Sequence, residues 1–340
     1  MYSFRVSVLI LASLLLLPLN AGAWERGDIE SFATLPAGNA NPEGITVDTK
    51  GNVYVTTFAI SPTPDQLVGR LFVFSPNGQF LRQVSIANSS NLLLGLAFHP
   101  QAGKLLVLDL GKAQVLSVDP ATGASTVFAT FPAGSGPNAL TFDKQGHVYI
   151  SDSFRGSIWR TDANGGNLTE WVAKDPLLTT TGVPGFGANG LEFNKAGDAL
   201  FVANTGNDTV VKIPVSGGTP GTLSVLTNSI NGADGLIIDD DDNIWVAANQ
   251  ADEIVVIDKS GKAIAKLGDF DGIDKHGAPI GLLFPASPVR FGDWLYVTNL
   301  SLDLRKTGMP GPQTVDSQWA DKVTSHTIAR LRARIPHVRE

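Results

Sequence analysis

Short apolar runs recur along the chain between polar breaks rich in glycine, asparagine and proline. After Ile29–Leu35 come Ile45–Asp48, Val53–Thr57, Arg70–Ser75 and Phe80–Ile86, with Thr49-Lys50-Gly51-Asn52 and Pro76-Asn77-Gly78 as turns between them. Alternation, β-branched content and turn residues at the breaks predict strands rather than helices. The same order then repeats. Leu94–Phe98, Lys104–Asp109, Gln114–Val118 and Ser125–Phe131 form a second set, and Ala139–Asp143 opens a third, Gly190–Phe193 a fourth and Gly235–Ile238 a fifth. A sixth set holds Pro288–Phe291, Trp294–Thr298 and Thr327–Leu331. Runs such as Leu105-Leu106-Val107-Leu108 are apolar on both faces, as in strands buried between stacked sheets.

Four of the sets open on a related motif. Asn41-Pro42-Glu43-Gly44-Ile45 recurs as Gly136-Pro137-Asn138-Ala139-Leu140, Gly187-Ala188-Asn189-Gly190-Leu191 and Gly232-Ala233-Asp234-Gly235-Leu236. Aligning Glu43, Leu94, Asn138, Asn189, Asp234 and Ser287 gives intervals of 44 to 53 residues, one propeller blade each. The sixth set lacks an outer strand, and Ile29–Leu35 has no set before it. The expectation is therefore an all-β, six-bladed propeller with four-stranded blades, closed by pairing of the N-terminal and C-terminal strands. Such closure would remove free sheet edges. A β-sandwich of similar strand count explains neither the six registers nor the complementary ends. The propeller forms one domain over residues 24–340, with insertions at 59–69 and 301–325.

Composition narrows the chemistry. The chain of 340 residues has no cysteine, which excludes disulfides, thiolate metal sites and thiol nucleophiles. A formal net charge of −7 without a basic patch argues against nucleic acid as a partner. Residues 1–23 read as a signal peptide: Arg5, a nearly continuous apolar run over Val6–Leu19, and Ala21-Gly22-Ala23 as a cleavage site. The mature chain then starts near Trp24, is secreted or periplasmic, and has no later membrane span.

Residues at the starts of inner strands converge on a propeller's central channel. Here they are Glu43, Asn138, Asn189 and Asp234, with Leu94 as channel packing and Ser287 in the sixth blade. Two carboxylates and two amide oxygens form a hard, all-oxygen set suited to calcium, with water completing the shell. Without a cation the carboxylates would repel each other and lose solvation. No histidine joins them, which disfavours zinc. Magnesium stays a second option, although a wide channel does not readily impose compact octahedral geometry. His276, in the loop feeding the sixth blade, and Ser287 are the substrate-side candidates. His147 reads as the start of a second strand, with a role in the fold, and Asp239-Asp240-Asp241-Asp242 as a solvated acidic turn. No serine triad, phosphate loop or dinucleotide fingerprint is found.

The order Glu43, Asn138, Asn189, Asp234 resembles the SMP-30/gluconolactonase/luciferin-regenerating-enzyme-like superfamily over residues 29–331, and more distantly NHL-repeat and strictosidine-synthase-like propellers. The resemblance implies a catalytic calcium in the channel, with Asp234 both ligand and catalytic base or nucleophile. It implies hydrolysis of a lactone or related ester, with phosphotriesters as a further possibility. Two positions depart from the sugar-lactone enzymes of that group: Gly136 stands where they often carry a substrate-binding arginine, and Ala139 where they carry an aspartate. These departures point to a less polar pocket. They also leave open a noncatalytic ligand- or protein-binding propeller with a structural calcium.

Overall fold

The computed structural model describes residues 26–60, 62–308 and 316–336, so the expected signal peptide, residues 1–23, lies outside the described residues. Six antiparallel sheets follow one another along the chain. Blade 1 runs outward from Asn41–Val47 through Val53–Phe58 and Arg70–Phe74 to Phe80–Ser85. Blades 2, 3, 4 and 5 repeat that order from the inner strands Leu93–Phe98, Pro137–Phe142, Ala188–Phe193 and Ala233–Ile238. Blade 4 adds a two-residue ladder between Val215-Ser216 and Thr219–Pro220. Blade 6 consists of Pro285–Phe291, Trp294–Asn299, Thr327–Arg332 and the N-terminal Ile29–Thr34.

The expected closure requires correction. No sheet closes on itself by hydrogen bonds, and each blade remains an open sheet with an inner and an outer edge. Ile29–Thr34 pairs with Thr327–Arg332 and serves as the outer strand of blade 6; no ladder joins blade 6 to blade 1. Edges are therefore not removed, and Phe80 and Leu81 remain exposed on the outer strand of blade 1. The physical reason is geometric. Blades stack face to face, so their backbone groups point along each sheet and only side chains meet across the interface.

Those interfaces hold the core. Phe32, Ile45, Val55, Phe72, Tyr296 and Ile328 pack between blades 6 and 1. Tyr54, Leu71, Val73, Leu96, Val107 and Leu116 pack between blades 1 and 2. Similar clusters separate the remaining neighbours. Val53, Val55, Leu106, Val107, Ile150, Val202 and Val246 are fully buried, which accounts for second strands that are apolar on both faces.

Side-chain hydroxyls latch one blade to the next near the axis. Thr298 Oγ1 in blade 6 donates to the Glu43 carbonyl in blade 1 at 2.6 Å, and Thr56 Oγ1 in blade 1 donates to the Leu94 carbonyl in blade 2 at 2.7 Å. The same oxygens accept backbone N–H groups of their own inner strands, from Ser287 at 3.0 Å and Gly44 at 3.1 Å. Turns between first and second strands also repeat. Asp48 accepts from Asn52 and Tyr54, Asp143 contacts His147 and Tyr149, and Asp239 accepts from Asn243 and Trp245. His147 thus occupies the turn position held elsewhere by asparagine. The segment that carries His276 and feeds the sixth blade contains a hairpin in which Phe270–Ile273 pairs with Pro279–Gly281.

The two longer segments join second and third strands. One links Val53–Phe58 to Arg70–Phe74, and the other links Trp294–Asn299 to Thr327–Arg332. Among the described residues no helix is long and apolar enough to cross a membrane.

The Thr298 latch gives a direct test. Thr298→Val keeps the shape but strands the buried Glu43 carbonyl and the Ser287 N–H. A loss of about 1–3 kcal/mol in unfolding free energy is expected by urea titration. An unchanged midpoint would mean that packing alone holds blade 6 to blade 1.

Candidate functional site

All six inner strands carry a register irregularity at one place, where two residues oppose one. It falls between Pro42 and Ile45, Leu93 and Leu96, Pro137 and Leu140, Ala188 and Leu191, Ala233 and Leu236, and Pro285 and Pro288. A bulge of this kind bends a strand and re-aims a side chain. The candidate residues sit inside these bulges, within the strands rather than ahead of them. Glu43, Leu94, Asn138, Asn189 and Asp234 each follow the residue paired at the bulge's start. By the same register the sixth position is Ala286, not Ser287: Pro285 pairs with Asn299, as Ala233 pairs with Ala248.

The bulges bring Glu43, Asn138, Asn189 and Asp234 onto one buried cavity together with Leu94. All four polar residues are 3–5% exposed. Ser287 and His276 do not line it. Ser287 is half-buried and held through its backbone by Thr298, and His276 is exposed at a hairpin turn where its N–H donates to Asp274 Oδ1 at 2.8 Å.

A second line of side chains orients the first. Asn138 Nδ2 donates to Ser153 Oγ at 3.0 Å, and Ser153 Oγ donates onward to the Ala188 carbonyl at 2.6 Å. Asn189 Nδ2 donates to Thr205 Oγ1 at 2.9 Å, and Thr205 Oγ1 donates to the Ala233 carbonyl at 2.8 Å. Because each hydroxyl hydrogen is committed to a carbonyl, the hydroxyl can only accept from the amide. That fixes which end of each amide is nitrogen and leaves both Oδ1 atoms available as acceptors. Asn249 Nδ2 donates to Asp234 Oδ2 at 3.0 Å. Ser153, Thr205 and Asn249 all lie just past the ends of second strands, a position that in sequence reads as turn.

Charge is poorly compensated here. Burial pushes Glu43 well above the usual carboxylate range, and the neighbouring Asp234 adds to the rise. Burial also raises Asp234, partly offset by hydrogen bonds from Asn249 and Asn189. Glu43 Oε2 and Asn249 Oδ1 are buried with no hydrogen-bond partner. Among the described residues no three of His, Cys, Asp and Glu converge as a metal group. The channel cluster has two carboxylates, and its other oxygens are amides.

Above this polar floor lies an apolar roof of Phe58, Pro184, Phe186, Phe284, Leu300 and Leu302. Leu302 belongs to the long segment of blade 6, and Phe186 precedes the inner strand of blade 4. The space between floor and roof is about 30 Å³, enough for an ion or one or two waters. A larger cavity of about 570 Å³ lies between blades 3 and 4, lined by His147, Arg160 and Glu192 among others. Its His147–Asp143 contact of 2.7 Å is the repeated turn described above, so convergent chemistry lies in the smaller cavity.

Both positions that depart from the sugar-lactone pattern have a packing reason. Ala139 occupies the small-residue position of its bulge, equivalent to Gly44, Gly190 and Gly235, and its N–H donates to Ser151 Oγ at 2.9 Å. At Gly136 a Cβ would lie 2.6 Å from Cδ2 of Phe154.

The sequence profile of the SMP-30/Gluconolactonase/LRE-like region matches residues 14–181 and 184–268, and the chain belongs to this family. No curated protein matches it in sequence. Among solved structures, it is similar to a luciferin-regenerating enzyme at 15% identity and a TM-score of 0.62, over 90% of this chain and 95% of that one. It is similar to the calcium-binding protein regucalcin of Agrobacterium tumefaciens at 18% identity and a TM-score of 0.60, over 91% and 98%. A gluconolactonase of Xanthomonas campestris follows at 13% identity and 0.59, over 91% and 90%. At these identities the likenesses establish the shared fold.

The buried carboxylates predict a pH dependence. A carboxyl whose pKa is raised by folding stabilises the fold below its unfolded value of about 4, and that contribution is lost as pH rises through the folded value. Without divalent cation, stability is expected to fall from pH 4 towards pH 8, and Glu43→Gln should flatten the fall. A stability rising over that range, or an equally steep mutant, would contradict the assignment.

Proposed function

We propose that this propeller is a calcium-dependent hydrolase acting on a lactone or related ester. One observation carries the reading: four oxygen-bearing side chains from four blades meet on one buried floor where Glu43 Oε2 has no partner. The residues fit a hard divalent cation. Glu43 and Asp234 supply two negative charges, and Asn138 and Asn189 present oxygens fixed by Ser153 and Thr205. Oxygen-rich sets of this kind suit calcium.

A bound cation would polarise the substrate carbonyl and offset the negative charge that develops on its oxygen. The remaining work falls to the chain. Asn249 holds one oxygen of Asp234, and the carboxylate so oriented would take a proton from water as the hydroxyl adds to the carbonyl carbon. The carbon–oxygen bond of the lactone then breaks, and the proton returns to the departing oxygen. The apolar roof limits bulk water at the reacting centre. A space of about 30 Å³ is too small to hold an acyl group whole, so the group would extend outward past Phe186, Leu300 or Leu302.

The small volume of that apolar-lined space also favours a second reading, a noncatalytic ligand- or protein-binding propeller in which calcium is structural. It expects calcium to raise the melting temperature without turnover of any ester. In either case residues 1–23 support export, and the exported chain is expected to begin near Trp24 on N-terminal sequencing; retention of Met1 would contradict cleavage.

Turnover should be measured on lactone, aryl-ester and phosphotriester panels with calcium and after chelation. Chelation should abolish hydrolysis, and Asp234→Asn should lower kcat by at least about 10². Activity that survives complete calcium removal would overturn the hydrolase reading.

A further inference from the structure

The mouth of the site is built around an aromatic step. Phe154 is 49% exposed and offers an apolar ring face to solvent. It is not on a loose loop. Buried Asp152 accepts the N–H groups of Gly136, Phe154 and Arg155 at 2.7, 3.2 and 3.1 Å, and its other oxygen accepts from Trp159 Nε1 at 2.9 Å. The Phe154 ring covers Gly136 closely enough that a Cβ there would have to displace the ring. On its other side it meets Phe186, ring centroids 5.4 Å apart, and Phe186 lines the polar cavity. The adjacent cation is turned away: Arg155 lies over the Trp159 ring at 5.7 Å and reaches Glu170 at 3.5 Å.

An apolar path thus runs from solvent over Phe154 to Phe186 and the roof. It ends on a polar floor. We propose that Phe154 and Phe186 form a subsite for an apolar substituent, an alkyl chain or aryl ring, carried next to the reacting carbonyl. The inference rests on the hydrolase reading above and names its substrate class. A polyhydroxylated substituent would bury hydroxyls against rings and leucines that offer no partner, whereas an alkyl chain gains from each buried methylene.

The test uses the calcium-loaded protein and γ-lactones whose alkyl substituent lengthens one carbon at a time, with a polyhydroxylated sugar lactone beside them. Across the first few carbons kcat/KM is expected to rise roughly three- to fourfold per methylene. Phe154→Ala should flatten that slope, and Phe154→Leu should restore most of it. A flat wild-type slope, or a sugar lactone turned over as fast as the alkyl series, overturns the subsite and leaves the hydrolase reading standing. If no lactone or ester is hydrolysed, the hydrolase reading fails, and calorimetric binding of n-alkanoates decides the subsite. Affinity that grows with chain length and loses that growth in Phe154→Ala supports it; affinity independent of length overturns it.

Discussion

The close approach of six inner strands around the axis is the constraint on which the site depends. A Cβ at Gly44 would sit 2.3 Å from the Leu94 carbonyl oxygen, one at Gly190 2.6 Å from that of Asp234, and one at Gly235 2.6 Å from that of Ala286. Each small residue lets one blade rest on the backbone of the next at the bulge. Ala139 and Ser287 fill the same place in blades 3 and 6. Tight contact there brings side chains from four blades onto one floor. It also explains why Ala139 cannot be read for substrate preference alone, since its position is first a packing position.

The energetics of that floor run against the apoprotein. Packing and hydroxyl latches hold two carboxylates in a space with little water, where both are pushed towards their protonated forms. With Asn138 Nδ2 held by Ser153 and Asn189 Nδ2 by Thr205, both amide oxygens remain as acceptors. Together these features favour a positive occupant, because a cation answers the unpartnered Glu43 oxygen, the desolvation and the mutual repulsion at once. The apolar roof strengthens this by lowering the local dielectric. Its aromatic extension towards Phe154 gives the same site a direction from which an apolar group would arrive.

Much of this was legible in the sequence because repetition is a strong signal. Four matched motifs and six aligned positions marked the blades, and Glu43, Asn138, Asn189 and Asp234 were singled out because they share one register. The sixth position was misread as Ser287 because a bulge shifts pairing by one residue, and proline before and after Ala286-Ser287 masks where that shift falls. Hydrogen-bonded closure of the sheet was expected because two end segments complement each other; ladders run within blades and cannot pass between faces. Ser153, Thr205 and Asn249 were hidden because a residue after a strand looks like a turn until the next blade is placed beside it. The roof was hidden for a similar reason. Phe186 and Leu302 lie far apart in sequence and meet only over the finished ring.

The most direct measurement is a high-resolution crystal structure of the protein soaked with calcium. The account predicts an ion bound at about 2.3–2.6 Å to oxygens of Glu43, Asn138, Asn189 and Asp234. An ion-free floor at saturating calcium, with a shared proton joining Glu43 to Asp234 or a water in the cavity, would contradict it.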